Sequence, residues 1–91
     1  MEIQIFGKTD CGKCEAAKKK VAFFIDKWGL AAQVAVKFVD METVDGRAEG
    51  AFYDVGSRIP VILVFDGGAE RARWDTEIRD SNELRRALGL E

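Results

Sequence analysis

The stretch from Ile3 to Cys14 reads Ile-Gln-Ile-Phe-Gly-Lys-Thr-Asp-Cys-Gly-Lys-Cys, and the rest of the chain can be interpreted outward from it. Alternating apolar residues up to Phe6 predict a first strand, and residues 7–10 predict a loop. From Cys11 onward the apolar residues recur at helical spacing. The two cysteines are therefore expected where a strand passes through a short loop into a helix.

The first helix is predicted from one apolar stripe. The residues of this stripe are Ala17, Val21, Phe24, Ile25 and Trp28. Thr9 or Asp10 is expected to be the N-cap, and Gly29 is expected to end the helix. Cys11 then falls in the first turn, where unpaired N–H groups and the positive end of the helix dipole favour a thiolate. Its thiol is expected to be the more exposed and the more acidic of the pair.

The middle of the chain predicts a second strand and a second helix. Residues 34–39 are apolar apart from Lys37, which is typical of a strand that is covered on both faces. Residues 47–55 predict a short helix that Gly56 ends. Its predicted buried residues are Ala48, Ala51, Phe52 and Val55.

The last part of the chain predicts a hairpin and a third helix. Residues 61–65 form the most apolar run and predict a buried strand. Residues 66–68, Asp-Gly-Gly, predict a turn into a charged edge strand over residues 69–74. Asp80 and Glu83 have the spacing of a capping box that opens the last helix.

These elements predict an α/β fold in the order β-α-β-α-β-β-α. The first three form a parallel unit, and the last two strands form an antiparallel hairpin. The result is a mixed four-stranded sheet with helices on both faces. The chain has 91 residues, which predicts a single domain over residues 1–91.

The composition excludes several classes of function. A chain with 47% hydrophobic residues is not disordered, and a net charge of -2 gives no sign of nucleic-acid binding. The absence of histidine excludes Ser-His-Asp and Cys-His catalytic pairs. No apolar run is long enough to cross a membrane, and no secretory signal is visible. We therefore expect a cytoplasmic protein, in which paired cysteines are more often catalytic or metal-binding than structural.

The pattern Cys11-Gly12-Lys13-Cys14 is the main chemical motif. A thiolate of Cys11 can attack a disulfide, and Cys14 can then attack Cys11 and release the reduced substrate. Two other interpretations stay open, an inert cysteine pair and a metal or iron–sulfur carrier. The carrier would need ligands from a second chain or an external thiol, because this chain has no other cysteine.

The segment Thr9–Cys14 with its helix, together with Arg58-Ile59-Pro60 before the third strand, resembles the thioredoxin-like superfamily and its small glutaredoxin-like proteins. The resemblance covers nearly the whole chain. It implies a cis Pro60 beside the cysteines and an Ile59 backbone that pairs with a bound peptide or glutathione. It also implies a disulfide oxidoreductase without a resident cofactor or metal. Glutathione is a candidate co-substrate, and glutathione or a reductase is the implied electron donor.

Three features differ from the common family pattern, and one of them is Asp10 in place of the thioredoxin tryptophan before the first cysteine. The cysteines enclose Gly12 and Lys13, whereas the common family motifs carry proline there. The glutaredoxin Gly-Gly pair usually follows the fourth strand, whereas Gly67-Gly68 stands before it and is interpreted as the hairpin turn. Glutathione specificity and reduction potential therefore stay open.

The topology predicts further residues around the cysteines. The fourth strand must return to the end of the sheet where Pro60 lies, so we expect Trp74, Asp75 and Thr76 at the rim of the site, where Trp74 and Asp75 would contribute a substrate surface. Lys8, Lys13 and Arg58 would form its cationic side. The alternative is that Trp74 packs in the core and Asp75 is a solvated loop residue. The expected partners are protein or small-molecule disulfides, and one charged edge strand favours a monomer.

Overall fold

The computed structural model describes residues 1–90 and contains the predicted elements in the predicted order. The elements are β1 (Glu2–Gly7), α1 (Gly12–Lys27), β2 (Ala35–Asp40), α2 (Val44–Phe52), β3 (Val61–Asp66), β4 (Ala69–Asp75) and α3 (Ser81–Ala87). The strands form one sheet in the order β2-β1-β3-β4. β1 pairs with β2 in parallel and with β3 in antiparallel, and β3 pairs with β4 in antiparallel. The predicted mixed four-stranded sheet is confirmed.

The alternation of side chains along the central strands divides the core into two layers. Ile3 and Ile5 of β1 lie in a cluster with buried residues of α1 and α3. Phe6 lies in a second cluster on the opposite face, together with Tyr53 and Val55, which follow α2. The helices therefore cover both faces of the sheet, as predicted, with α1 and α3 on one face and α2 on the other.

The prediction that the second strand is covered on both faces is wrong. β2 is an edge strand, and only Val39 among its six residues is buried. Val36 is 45% exposed. The sheet thus has two edge strands, β2 and β4. The prediction of a monomer depends on a charged edge strand that disfavours pairing between chains, and this argument applies to β4 but not to β2. An apolar sequence does not distinguish a covered strand from an edge strand in a small sheet.

The second helix begins three residues earlier than predicted and turns a different face inward. Its buried residues are Gly46 and Gly50, whereas Phe52 is 79% exposed. A Cβ at Gly46 would overlap the carbonyl group of Asp40, so glycine lets the helix backbone approach the last residue of β2 closely. The predicted burial of Ala48, Ala51 and Phe52 is wrong, and only Val55, beyond the end of the helix, is buried.

The last helix begins where the sequence predicts. Asp80 is its N-cap, and its carboxylate accepts a hydrogen bond from the N–H of Asn82 at 2.9 Å. Glu83 does not complete a capping box, because its carboxylate accepts a hydrogen bond from the indole of Trp74 at 3.3 Å. Within residues 1–90, no helix has the length and apolar character that a bilayer crossing requires.

Candidate redox site

Cys11 is itself the N-cap of α1. Its backbone is extended, with φ -142° and ψ 112°, and its sulfur accepts a hydrogen bond from the N–H of Cys14 at 3.2 Å. The predicted N-caps, Thr9 and Asp10, lie in the exposed loop before it. The sulfur of Cys11 takes the place that the side-chain oxygen of serine or aspartate has at other helix starts. The sulfur is thus held directly at the helix N-terminus.

The two cysteines form a disulfide with a Cα–Cα distance of 5.2 Å. Cys14 is fully buried, whereas Cys11 is partly exposed. A disulfide that approaches from solvent therefore reaches the sulfur of Cys11 first. This asymmetry agrees with the prediction that Cys11 is the more exposed residue of the pair.

The charged residues predicted around the cysteines are all exposed. Lys8, Lys13 and Asp10 lie in or beside the cysteine loop, and Arg58 lies in the loop before β3. The loop is also tied to the segment before α2, since the Thr9 hydroxyl lies 3.3 Å from the Glu42 carboxylate. Lys8, Asp10 and Lys13 thus place cationic and acidic side chains within three residues of Cys11 in the sequence.

The peptide bond between Ile59 and Pro60 is cis, as the resemblance implied. Pro60 is buried, and its carbonyl accepts a hydrogen bond from the N–H of Thr76 at 2.6 Å. Ile59 is partly exposed, and its backbone N–H and C=O have no hydrogen-bond partner among residues 1–90.

Known structures share this architecture although sequence comparison finds no relative. No protein-family model and no curated protein matches the chain. Thioredoxin 1 from Thermosipho africanus is similar with a TM-score of 0.73 at 17% identity, over 98% of this chain and 91% of that one. Thioredoxin O2 from Arabidopsis thaliana gives 0.71 at 19%, over 97% and 71%. Fasciola hepatica thioredoxin gives 0.70 at 20%, over 97% and 77%.

The chain has the thioredoxin fold. Identities of 17% to 20% establish the fold alone, and they confirm the fold class predicted from the sequence. Within this fold, the N-terminus of α1 and the loop before β3 bring the cysteine pair and the cis proline to one end of the sheet, since Gly7 ends β1 and Val61 begins the antiparallel β3.

Trp74 and Asp75, the last two residues of β4, have different surroundings. The ring of Trp74 packs against the α1 and α3 core, and its indole N–H donates to Glu83 of α3. Asp75 lies 3.7 Å from Arg73 of the same strand. The structure thus gives Trp74 the packing contacts of the alternative interpretation, and a substrate contact of Trp74 or Asp75 stays a prediction.

Residues that follow β4 line a cleft beside the cysteine loop, and among them only Thr76 is predicted from the sequence to lie near the site. Thr76 and Glu77 form one wall, and Lys13 and Lys20 of α1 form the other, around a volume of about 140 Å³. The Lys20 ammonium donates to the carbonyl of Ile78, which ties the two walls together. The helical spacing of Lys13, Ala16, Ala17 and Lys20 places them on one face of α1, but only the fold shows that residues 76–78 lie opposite. Lys13 therefore links this cleft to the cysteine loop.

Within residues 1–90, no group of three or more cysteine, histidine, aspartate or glutamate side chains is placed to hold a metal ion. The cysteine pair supplies two thiolates at most. Four-coordinate zinc or an iron–sulfur cluster would need its remaining ligands from another molecule.

Proposed function

We propose that this protein is a thiol–disulfide oxidoreductase that reduces or exchanges disulfides through Cys11 and Cys14. The observation that carries the proposal is the placement of a partly exposed Cys11 at the N-cap of α1, disulfide-bonded to a fully buried Cys14. A thiolate is the attacking form of cysteine, and donors at a helix N-terminus stabilise it. The N–H of Cys14, which lies 3.2 Å from the Cys11 sulfur, is such a donor.

The reaction moves two electrons from the cysteine pair to the substrate disulfide. The Cys11 thiolate attacks one substrate sulfur, the substrate disulfide breaks, and the departing sulfur takes up a proton. Cys14 then loses its proton and attacks the Cys11 sulfur. The mixed disulfide breaks, the second substrate thiol leaves, and the Cys11–Cys14 disulfide forms. Glutathione or a reductase then returns the pair to the dithiol form.

The free backbone groups of Ile59 support an extended peptide or glutathione as the segment next to the attacked sulfur. Lys8, Lys13 and Arg58 are exposed around the site and suit a substrate with carboxylates. The cleft beside Lys13 offers space for one further substrate side chain. Trp74 and Asp75 contribute to this substrate-binding surface only at its rim.

The test is a turnover assay with two disulfides, a protein disulfide such as that of insulin and a mixed disulfide of glutathione. Cys11→Ser is expected to abolish turnover of both substrates. Cys14→Ser is expected to keep the first attack and to accumulate a mixed disulfide with Cys11, which intact-mass spectrometry detects. Ala22→Ser is the matched control, because it adds the same side chain at an exposed position of α1.

Equal turnover by the wild type and Cys11→Ser would contradict the proposal. Reduction of the glutathione mixed disulfide alone would place the protein with glutaredoxin-like activities. Reduction of insulin with a reductase as electron donor would place it with thioredoxin-like ones.

A further inference from the structure

The end of β1 lacks a side chain at the point where it meets the buried cysteine. Ile3 and Ile5 point toward α1 and fill the core there, and the next residue in this alternation is Gly7. A Cβ at Gly7 would lie 2.7 Å from the sulfur and 3.1 Å from the Cβ of Cys14. It would also lie 3.3 Å from the ring of Phe38. The Cys14 side chain thus occupies the volume that a side chain at position 7 would fill.

The glycine is needed here for space and not for its backbone conformation. Gly7 is a strand residue that pairs with Asp40 of β2, and it is not among the glycines with positive φ. An alanine could therefore adopt the same backbone. It would, however, have to displace the side chain of Cys14, which is fully buried against the end of β1.

The close approach brings one hydrogen-bond donor to the buried sulfur. The backbone N–H of Lys8 donates to the sulfur of Cys14 at 3.5 Å. A thiolate accepts such a bond more strongly than a thiol, so the donor favours the charged form of Cys14. Because Cys14 is fully buried, water cannot supply this stabilisation.

We propose that Gly7 is a positioning residue for the resolving step, because it seats Cys14 against the Lys8 N–H group. The inference rests on the proposed function and concerns its second half. In that half, Cys14 gives up a proton and its sulfur bonds to the Cys11 sulfur, while the bond between Cys11 and the substrate breaks and the departing substrate sulfur takes the bonding electrons and a proton. Displacing Cys14 weakens the Lys8 hydrogen bond and misaligns the attack, whereas Cys11 keeps its own donor, the Cys14 N–H.

The test separates the two halves with 5,5′-dithiobis(2-nitrobenzoate), an aromatic disulfide whose released thiolate is coloured. One equivalent reacts with the reduced protein in two phases. The first release reports attack by Cys11, and the second reports resolution by Cys14. Cys14→Ser should show the first phase alone, which assigns the phases.

In Gly7→Ala the second phase is expected to slow at least tenfold, and the first phase is expected to stay within twofold of the wild type. Gly56→Ala is the matched control, because a Cβ at Gly56 meets nothing within 4 Å. Both phases should be unchanged in that variant. Circular dichroism of each variant checks that it is folded.

A second pair of variants covers the case in which Gly7→Ala does not fold. Lys8→Pro removes the N–H donor without adding a side chain at position 7, and Lys8→Ala removes the same charged side chain but keeps the donor. The second phase should be at least fivefold slower in Lys8→Pro than in Lys8→Ala. Equal second phases in this pair, or an unchanged second phase in folded Gly7→Ala, would overturn the proposal.

The turnover assay and the two-phase reaction together separate failure of the Gly7 proposal from failure of the proposed oxidoreductase function. A wild type that reacts in two phases but does not turn over disulfides contradicts the oxidoreductase function and leaves the role of Gly7 measurable. A wild type that turns over disulfides while Gly7→Ala resolves at the same rate contradicts only the role of Gly7.

Discussion

The helices α1 and α2 cover opposite faces of the same sheet, and they reach it by different means. α1 contacts the sheet through the side chains of Ala17, Val21 and Ile25. α2 turns Gly46 and Gly50 inward and leaves its apolar residues Val44 and Phe52 74% and 79% exposed. An apolar stripe therefore identifies the inner face of a helix only where side chains fill the gap to the sheet. In α2 the inward positions are glycines, at which a Cβ would meet the Asp40 carbonyl or the Met41 side chain.

Truncating a buried side chain of α1 and an exposed one of α2 should change stability by very different amounts. Ile25→Ala removes a buried side chain of α1 and should lower the free energy of unfolding by about 2–5 kcal/mol. Phe52→Ala removes a larger side chain from α2 and should change it by less than about 0.5 kcal/mol, because that ring is exposed. Urea unfolding of both variants measures the difference. A loss of more than 2 kcal/mol in Phe52→Ala would show that α2 packs through its apolar stripe after all.

The next effect concerns glycines in the first turn of each helix. Gly46→Ala should destabilise the protein by about 1–3 kcal/mol, because its Cβ would overlap the Asp40 carbonyl and the backbone must shift. Gly12→Ala is the matched variant, since a Cβ there meets nothing within 4 Å. It should leave stability unchanged or raise it by up to about 1 kcal/mol, because alanine restricts the unfolded chain. Thermal or urea unfolding that ranks the two variants equally would contradict this account of α2.

The same contrast explains what the sequence could predict. The element order, the central strands and the inner face of α1 follow from side-chain periodicity, because these elements bury side chains. The inner face of α2 does not follow, because glycine contributes nothing to an apolar stripe. The sequence does not show that β2 is an edge strand. It becomes one because β1 pairs with β3 on its other side, which leaves β2 with β1 as its only neighbour in the sheet.

The candidate site divides in the same way. The cysteine pair is local in sequence, so the sequence alone identifies it. The cis Pro60 followed from the resemblance and is confirmed. The cleft walls and the contact between Gly7 and Cys14 join residues that the fold brings together from separate elements. A buried strand position occupied by glycine next to a reactive cysteine was the one signal that could have indicated the latter.

The pH dependence of alkylation of the reduced protein tests whether Cys11 is an activated nucleophile. Mass spectrometry after brief treatment with iodoacetamide distinguishes Cys11 from Cys14. Because Cys11 is partly exposed at the N-cap of α1 and Cys14 is fully buried, Cys11 should be modified first. The midpoint of its reactivity should lie below the ordinary thiol pKa of about 8.5. Modification of Cys14 at an equal rate, or a Cys11 midpoint at or above about 8.5, would contradict an activated nucleophile at the start of α1.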